Sequence, residues 1–193
     1  MKKALLRAVR VCRLLISRES TLRRCGRSTV SELAEFALRA VAIGVGATVV
    51  MDLWAVLLHR LFRVQPSNWA MVGRWVGHFS NGQFLHDSIA DAPPIRGELA
   101  LGWMVHYLTG ITYGALLLGI WGLEWARRPT LPPALILSLV ALAAPFFVLQ
   151  PGMGLGVAGA RTPNPNATRV RSVLNHTVFG LGLYVSALLC AQG

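Results

Sequence analysis

Charged residues are scarce in this sequence, and so are cysteines. Only 14% of the 193 residues are charged and 54% are hydrophobic, whereas a soluble domain has roughly a quarter of its residues charged. A single water-soluble core of this size could not bury so much apolar surface. The cysteines Cys12, Cys25 and Cys190 form no Cys-x-x-Cys pair, which argues against a disulfide framework or a zinc knuckle. Lipid is therefore the expected environment of most of the chain.

Motifs of the common enzyme classes are missing as well. The sequence contains no nucleophile elbow, Walker loop, dinucleotide fingerprint or zinc-protease motif. It also lacks the alternation of apolar and polar residues that is typical of a membrane β-strand. The sequence therefore leaves both cofactor and metal binding open and favours a non-enzymatic role.

Positive charge is concentrated at the N-terminus. The chain has 19 Lys and Arg residues against 8 Asp and Glu. Nine of the basic residues precede position 28: Lys2, Lys3, Arg7, Arg10, Arg13, Arg18, Arg23, Arg24 and Arg27. Anionic lipids attract such residues by about 1 kcal/mol each, so we predict a lipid partner and no nucleic acid. Residues 1–30 are interpreted as a basic arm, either an amphipathic surface helix or disordered. A mitochondrial presequence and a start site read too early are alternatives.

Four apolar stretches follow the arm, and each is near the ~20 residues that span a bilayer as a helix. They cover about 36–61, 98–123, 131–150 and 172–191. The predicted fold is all-α, an integral membrane bundle of four transmembrane helices within residues 31–193. The long joint at 62–97 contains a helix start at Pro66-Ser67-Asn68, followed by apolar residues at helical spacing. These predict a short interfacial helix at 68–79.

Asp52 is the most informative residue because it lies inside the first apolar stretch. An aspartate at the centre of a membrane helix costs about 2.5–3.5 kcal/mol, so it should have a partner. At the helical rise, Asp52 lies about 13 Å and His106 about 12 Å from the same side of the membrane. Asn175 and His176 enter the fourth stretch from that side, at a shallower depth. We predict that these four residues form an intramembrane polar site.

The Asp52 site has three interpretations. Asp52 and His106 could act as a polar link between helices, worth about 0.6 kcal/mol per contact. They could exchange protons on a proton or ion path. They could also ligate a metal, although the spacing of the histidines does not support this.

A second candidate site lies in the loops that face the same side. Its residues are His86, Asp87, Gln150, Arg161 and Asn164. The rigid, cationic segment from Arg161 to Pro165 could bind an anionic headgroup or substrate, or could simply be a structured turn. Elsewhere, Gly44-x-Gly46 and Gly110-x-x-x-Gly114 are typical of close helix packing.

Several short motifs carry a resemblance to a known family. They are Met51-Asp52-Leu53-Trp54, Asn68-Trp69, Gly73-Arg74-Trp75, His86-Asp87-Ser88-Ile89, Gly97-Glu98, His106-Tyr107, Gln150-Pro151-Gly152-Met153-Gly154 and Arg161-Thr162-Pro163-Asn164-Pro165. With them, residues 35–190 resemble a family of small bacterial multi-pass membrane proteins classed as a domain of unknown function. The resemblance implies an inner (cytoplasmic) membrane location and no particular activity.

The distribution of basic residues sets the expected orientation. Twelve Lys and Arg residues share the side of both termini and seven share the other, which predicts a cytoplasmic N-terminus. Without the N-terminal arm the counts become three and seven, and the prediction reverses. A homo-oligomer or another membrane partner stays open.

The leading hypothesis for function is a membrane protein that carries or senses a proton, ion or small solute. The alternatives are a non-catalytic structural or partner-binding subunit and a membrane-embedded enzyme with a His/Asp site.

Overall fold

A computed structural model describes the backbone of residues 2–192 and the side chains of residues 30–192. The α-helices of this part of the chain are α1 (Lys2–Phe62), α2 (Trp69–Gly77), α3 (Glu98–Arg127), α4 (Leu131–Val140), α5 (Gln150–Gly152) and α6 (Pro165–Ala191). Short 3-10 turns at His78–Asn81 and Val157–Gly159 and a π turn at Pro145–Leu149 complete it. No β-strand occurs between residues 2 and 192, and the all-α prediction is confirmed.

The chain divides into two compact units, residues 1–38 and residues 39–193. The first unit consists of the N-terminal part of α1. The prediction of an amphipathic or disordered arm at 1–30 falls on side chains outside the described residues and stays a prediction. The second unit contains the candidate site.

Four helical segments are long and apolar enough to cross a membrane. They are Val30–Phe62, Glu98–Arg127, Leu131–Gly152 and Pro165–Ala191. Between 22 and 33% of the most apolar window of each segment is buried inside the protein. Most apolar side chains of the segments therefore face outward, and a lipid bilayer is the solvent that stabilises such a surface. The prediction of a four-span membrane bundle is confirmed.

The spans differ in their bounds from the apolar stretches of the sequence, and two of the differences have a local cause. The fourth begins at Pro165, seven residues before the stretch, because Asn164 accepts a hydrogen bond from the Ala167 amide at 3.1 Å and caps the helix. The second continues to Arg127 past an interruption at Gly122, whose φ of 79° favours glycine. Polar residues at the start of α6 conceal the true helix start in a hydropathy pattern.

Small residues let α1 approach two neighbouring helices closely. A Cβ atom on Gly44 would lie 2.5 Å from Ile111 Cα of α3, and one on Gly182 of α6 would lie 2.9 Å from Ala47 Cα. Gly114 of α3 likewise faces the backbone of Ala40 and Gly44. The glycine pairs noted in the sequence therefore do mediate helix packing.

The third span is irregular at its centre. Pro145 has no N–H to donate, and the chain opens there into the π turn, where the Gln150 amide bonds to the Pro145 carbonyl. The span then ends at Gly152, followed by a turn in which Gly154 has a φ of 86°. This wide turn lies beside the candidate site.

Helix α2 and the loop after it pack against α3. A Cβ atom on Gly73 of α2 would lie 2.7 Å from the Gly102 nitrogen of α3, so only glycine fits this crossing. The Asn68 side chain caps α2 through the Ala70 amide at 3.1 Å. The predicted short helix at 68–79 is thus observed as Trp69–Gly77, with a 3-10 turn beyond it.

Arg74 of α2 fastens the loop to the helices. Its guanidinium forms two hydrogen bonds with the Glu98 carboxylate, at 2.9 and 3.0 Å, and donates to the carbonyls of Ile89, Ala90 and Ala92. The hydrogen bonds that Arg74 donates to Glu98 raise the pKa of the Arg74 guanidinium above its ordinary value. The paired arrangement is the strong, bidentate kind.

Candidate functional site

Asp52 of α1 is bonded by two neighbouring residues of α3. His106 Nε2 donates to Asp52 Oδ1 at 2.9 Å, and the Tyr107 hydroxyl donates to Asp52 Oδ2 at 2.9 Å. The His106 side chain is 5% exposed, and that of Asp52 is 24% exposed. The structure thus brings together the two residues that helical depth placed at the same level. Tyr107 also belongs to the site, because the side chains of these two consecutive α3 residues each reach one oxygen of Asp52.

One indirect sign of the role of Tyr107 is present in the sequence. A phenol next to His106 inside an apolar stretch needs a hydrogen-bond partner, but several nearby polar atoms could have supplied it.

Trp69 covers one face of the His106 ring. The two ring centroids are 3.8 Å apart with 25° between the planes, a stacked arrangement. Trp69 is the first residue of α2, and the Gly73–Gly102 crossing brings this end of α2 down onto α3. Sequence reasoning assigned Trp69 only to an interfacial helix, because the docking of α2 depends on a backbone contact that leaves no hydropathy signal.

Two cavities meet at this group of residues. The first has a volume of about 390 Å³ and is lined by Asp52 together with His59, Arg60 and Arg171 among mostly apolar side chains. The second has a volume of about 440 Å³ and is lined by His106, Gln150 and His176. Met51, Ser67, Trp69 and Asn175 line both. The Asp52–His106 hydrogen bond therefore joins a wall of one cavity to a wall of the other.

Asn175 and His176 lie further into their helix than the sequence indicated. Because α6 begins at Pro165, they are about three turns into it. His176 Nδ1 bonds to the Ser172 carbonyl of its own helix at 2.9 Å. The two residues share cavities with Asp52 or His106, and the described contacts of His176 do not include Asp52.

The structure distributes the five residues of the candidate loop site over several places. His86 bonds to His78 and to Gly152, and Gln150 is 8% exposed in the wall of the second cavity. Asn164 caps α6, while Asp87 and Arg161 are exposed. The described hydrogen bonds of these residues do not join them to one another.

The geometry fixes how the Asp52–His106 pair can handle a proton. Since a carboxylate oxygen only accepts, Nε2 carries the hydrogen and the neutral imidazole has its lone pair on Nδ1. Nδ1 is then the ring atom that is able to accept a further proton. Within residues 30–192 no group of three or more His, Cys, Asp or Glu residues is arranged to hold a metal.

Four apolar spans around a buried carboxylate–imidazole pair define a multi-pass membrane protein with a polar site inside its bundle. Residues 41–190 match the family model described as "Protein of unknown function (DUF2938)". The chain therefore belongs to this family, and the resemblance read from its motifs is confirmed. No curated protein and no solved structure matches the chain.

Proposed function

We propose that the protein carries or senses a proton, together with a small solute, through the Asp52–His106 pair. The observation that carries this proposal is the position of the pair between the two cavities, with Asp52 in the wall of the first and His106 in the wall of the second. A proton accepted from one cavity can thus be passed through the pair to the other cavity with little side-chain movement. Intramembrane ionisable residues in such positions typically mark proton or substrate paths.

The first cavity supports a class of solute. Most of its lining is apolar, and Arg60 and Arg171 contribute positive charge. Both oxygens of Asp52 already accept hydrogen bonds, one from His106 and one from Tyr107. The cavity therefore suits a small solute with one anionic group and an apolar body.

The proton arm of the proposal is tested with the full chain in liposomes that contain a pH-sensitive dye. An imposed pH gradient should produce protein-dependent proton flux if the protein is a carrier. A sensor should instead show a pH-dependent change in tryptophan fluorescence without flux. Asp52→Asn should abolish either response, and Asp91→Asn, at an exposed loop carboxylate, should retain it. Absence of both responses in the unmodified protein, or an unchanged response in Asp52→Asn, would support a structural subunit instead.

The solute arm uses a matched pair of probes. Hexanesulfonate and hexyltrimethylammonium have the same apolar body and opposite permanent charge. In lipid nanodiscs, calorimetry should detect binding of the sulfonate, weakened at least about fivefold in Arg171→Gln, which corresponds to about 1 kcal/mol for a lost charge-assisted bond. Preference for the ammonium probe would contradict the assignment of an anionic solute.

Location and partners complete the proposal. The excess of basic residues before position 28 supports a cytoplasmic N-terminus and contact with anionic lipids, and the family resemblance supports an inner membrane location. A reporter at the C-terminus should change sides when residues 1–29 are deleted. A reporter that stays on its side would show that the arm does not set the orientation. Self-association or another membrane partner can be tested by crosslinking in the same membranes.

A further inference from the structure

We propose that His78 and His86 form a second proton-binding site, one that closes the 82–97 loop over the end of the third span. The two imidazoles face each other outside the membrane-spanning helices, with His78 Nδ1 and His86 Nε2 2.8 Å apart. His78 Nε2 lies 3.1 Å from the Pro93 carbonyl oxygen, and His86 Nδ1 lies 3.2 Å from that of Gly152. The side chains are 5% and 8% exposed, so water does not substitute for these partners.

The number of ring protons decides the charge of the pair. Carbonyl oxygens only accept hydrogen bonds, so His78 Nε2 and His86 Nδ1 must both carry hydrogen. A neutral imidazole has one N–H, and two neutral rings would leave two lone pairs facing each other at 2.8 Å. One additional proton between the rings satisfies all three contacts. The observed geometry is therefore that of an imidazole–imidazolium pair with a net charge of one.

The distance between the two facing ring nitrogens fits a shared proton better than a shared metal ion. Two imidazole nitrogens bound to one tetrahedral zinc at 2.0–2.1 Å are about 3.3 Å apart. The facing nitrogens here are closer than that, and a proton is the ligand that fits such a short separation.

The site links three parts of the protein. His78 belongs to the 3-10 turn after α2, His86 to the loop, and Gly152 to the end of the third span. The same junction is held by backbone bonds from the His86 amide to Gly152 at 3.0 Å and from the Ile89 amide to Met153 at 3.1 Å. Loss of the proton leaves one buried contact unsatisfied at the centre of this junction.

The charged groups near the pair do not replace the proton. Glu98 is close enough to His78 to interact with it electrostatically, and it is paired with Arg74. The loop carries three further charged residues, all exposed: Asp87, Asp91 and Arg96. The turn at Gln150–Gly154 contributes no charged side chain. Glu98 therefore favours the positive pair without donating or accepting a hydrogen bond with it among the described contacts.

The expected consequence is a junction that loosens as pH rises. The folded protein binds the extra proton and the unfolded chain binds it less well, so stability is greatest on the acidic side and falls with increasing pH. Because Gln150 lines the second cavity, loosening of the contact at the nearby Gly152 would also affect the wall of that cavity. The site does not depend on the function proposed for Asp52.

Hydrogen–deuterium exchange of the full chain in nanodiscs tests the site. Protection factors of residues 84–92, corrected for the intrinsic pH dependence of exchange, are compared between about pH 5 and about pH 9, a range that brackets ordinary histidine titration. We expect protection to fall at least about fivefold on going to the higher pH, the equivalent of one unsatisfied buried group. Protection that is independent of pH in the unmodified protein would overturn the proposal.

Variants separate this site from other histidines. In His86→Gln, one amide group can donate both to Gly152 and to His78 without an extra proton, so protection should become independent of pH. His59→Gln and His106→Gln should retain the pH dependence in residues 84–92. If His106→Gln removed it instead, the effect would belong to the Asp52 site. If His86→Gln does not fold, the comparison of the unmodified protein with His106→Gln still decides between the sites.

Discussion

The indole of Trp69 lies flat on the imidazole of His106, with 3.8 Å between the ring centroids. His106 is thereby held between an aromatic face and the Asp52 carboxylate, to which it donates a hydrogen bond at 2.9 Å. The helix that carries Trp69 is therefore part of the site, although it lies outside the spans.

Removal of the Trp69 ring should weaken the contact of α2 with His106. In Trp69→Leu the stacked aromatic contact is lost, and such contacts contribute about 0.5–1.5 kcal/mol beyond their buried area, so we expect the free energy of unfolding to fall by about that amount. Unfolding in mixed micelles, followed by circular dichroism, measures the change. Trp121→Leu, a tryptophan of α3 without a ring contact to His106 among the described pairs, is the matched control. An equal change in both variants would contradict a specific effect of the stack.

Asp52→Ala should destabilise the protein more than Tyr107→Phe. The alanine leaves His106 Nε2–H and the Tyr107 hydroxyl without their acceptor, and each unsatisfied buried donor costs about 1–3 kcal/mol. The phenylalanine removes one donor and keeps the Asp52–His106 bond, so the free energy of unfolding should fall by only about 0.5–1.5 kcal/mol. Unfolding in mixed micelles measures both changes. Equal stabilities would show that Asp52 is satisfied by water in the first cavity rather than by these residues.

Sequence reasoning predicted the spans and the Asp52–His106 pairing for the same reason. Both follow from one coordinate, distance along a helix axis, which hydropathy and a fixed rise per residue determine. What it did not predict depends on contacts between elements. Tyr107 joins Asp52 through the rotation of α3, and Trp69 reaches His106 only because α2 docks at Gly102.

Details of the candidate sites depend on contacts between elements in the same way. The depth of Asn175 depended on where α6 begins, and a capping asparagine among polar residues determines that point. The loop residues were grouped by the side of the membrane they share, but side-chain contacts in an irregular segment follow its backbone path. His78 was not selected for a site because nothing in its own surroundings in the sequence distinguishes it.

The contacts of Arg74 with Glu98 and with the loop carbonyls should require an arginine. Arg74→Lys keeps the charge but loses the two parallel bonds to Glu98 and most of the donors to the loop carbonyls. We expect residues 89–92 to become several times more sensitive to limited proteolysis. The free energy of unfolding should fall by about 1–3 kcal/mol. The control is Arg127→Lys, in an exposed pair with Glu124, where the expected change is within about 1 kcal/mol. Equal sensitivity of the two variants would show that the loop is held by its backbone contacts alone.

A methyl group at Gly102 should separate α2 from α3 and release Trp69 from His106. The Cβ of alanine would lie 2.6 Å from the Trp69 carbonyl carbon, and backbone atoms cannot rotate away as a side chain can. Forced overpacking of this kind costs about 1–3 kcal/mol. Tryptophan fluorescence should then lose the pH-dependent component that depends on His106.

Gly119→Ala provides the control on the same helix. No atom lies within 4 Å of a Cβ at Gly119, so this alanine should stabilise α3 by about 0.5–1 kcal/mol through its helix propensity. The two glycine-to-alanine changes are thus expected to act in opposite directions. If Gly102→Ala were also stabilising and kept the pH-dependent fluorescence, the close α2–α3 crossing would not be what positions Trp69.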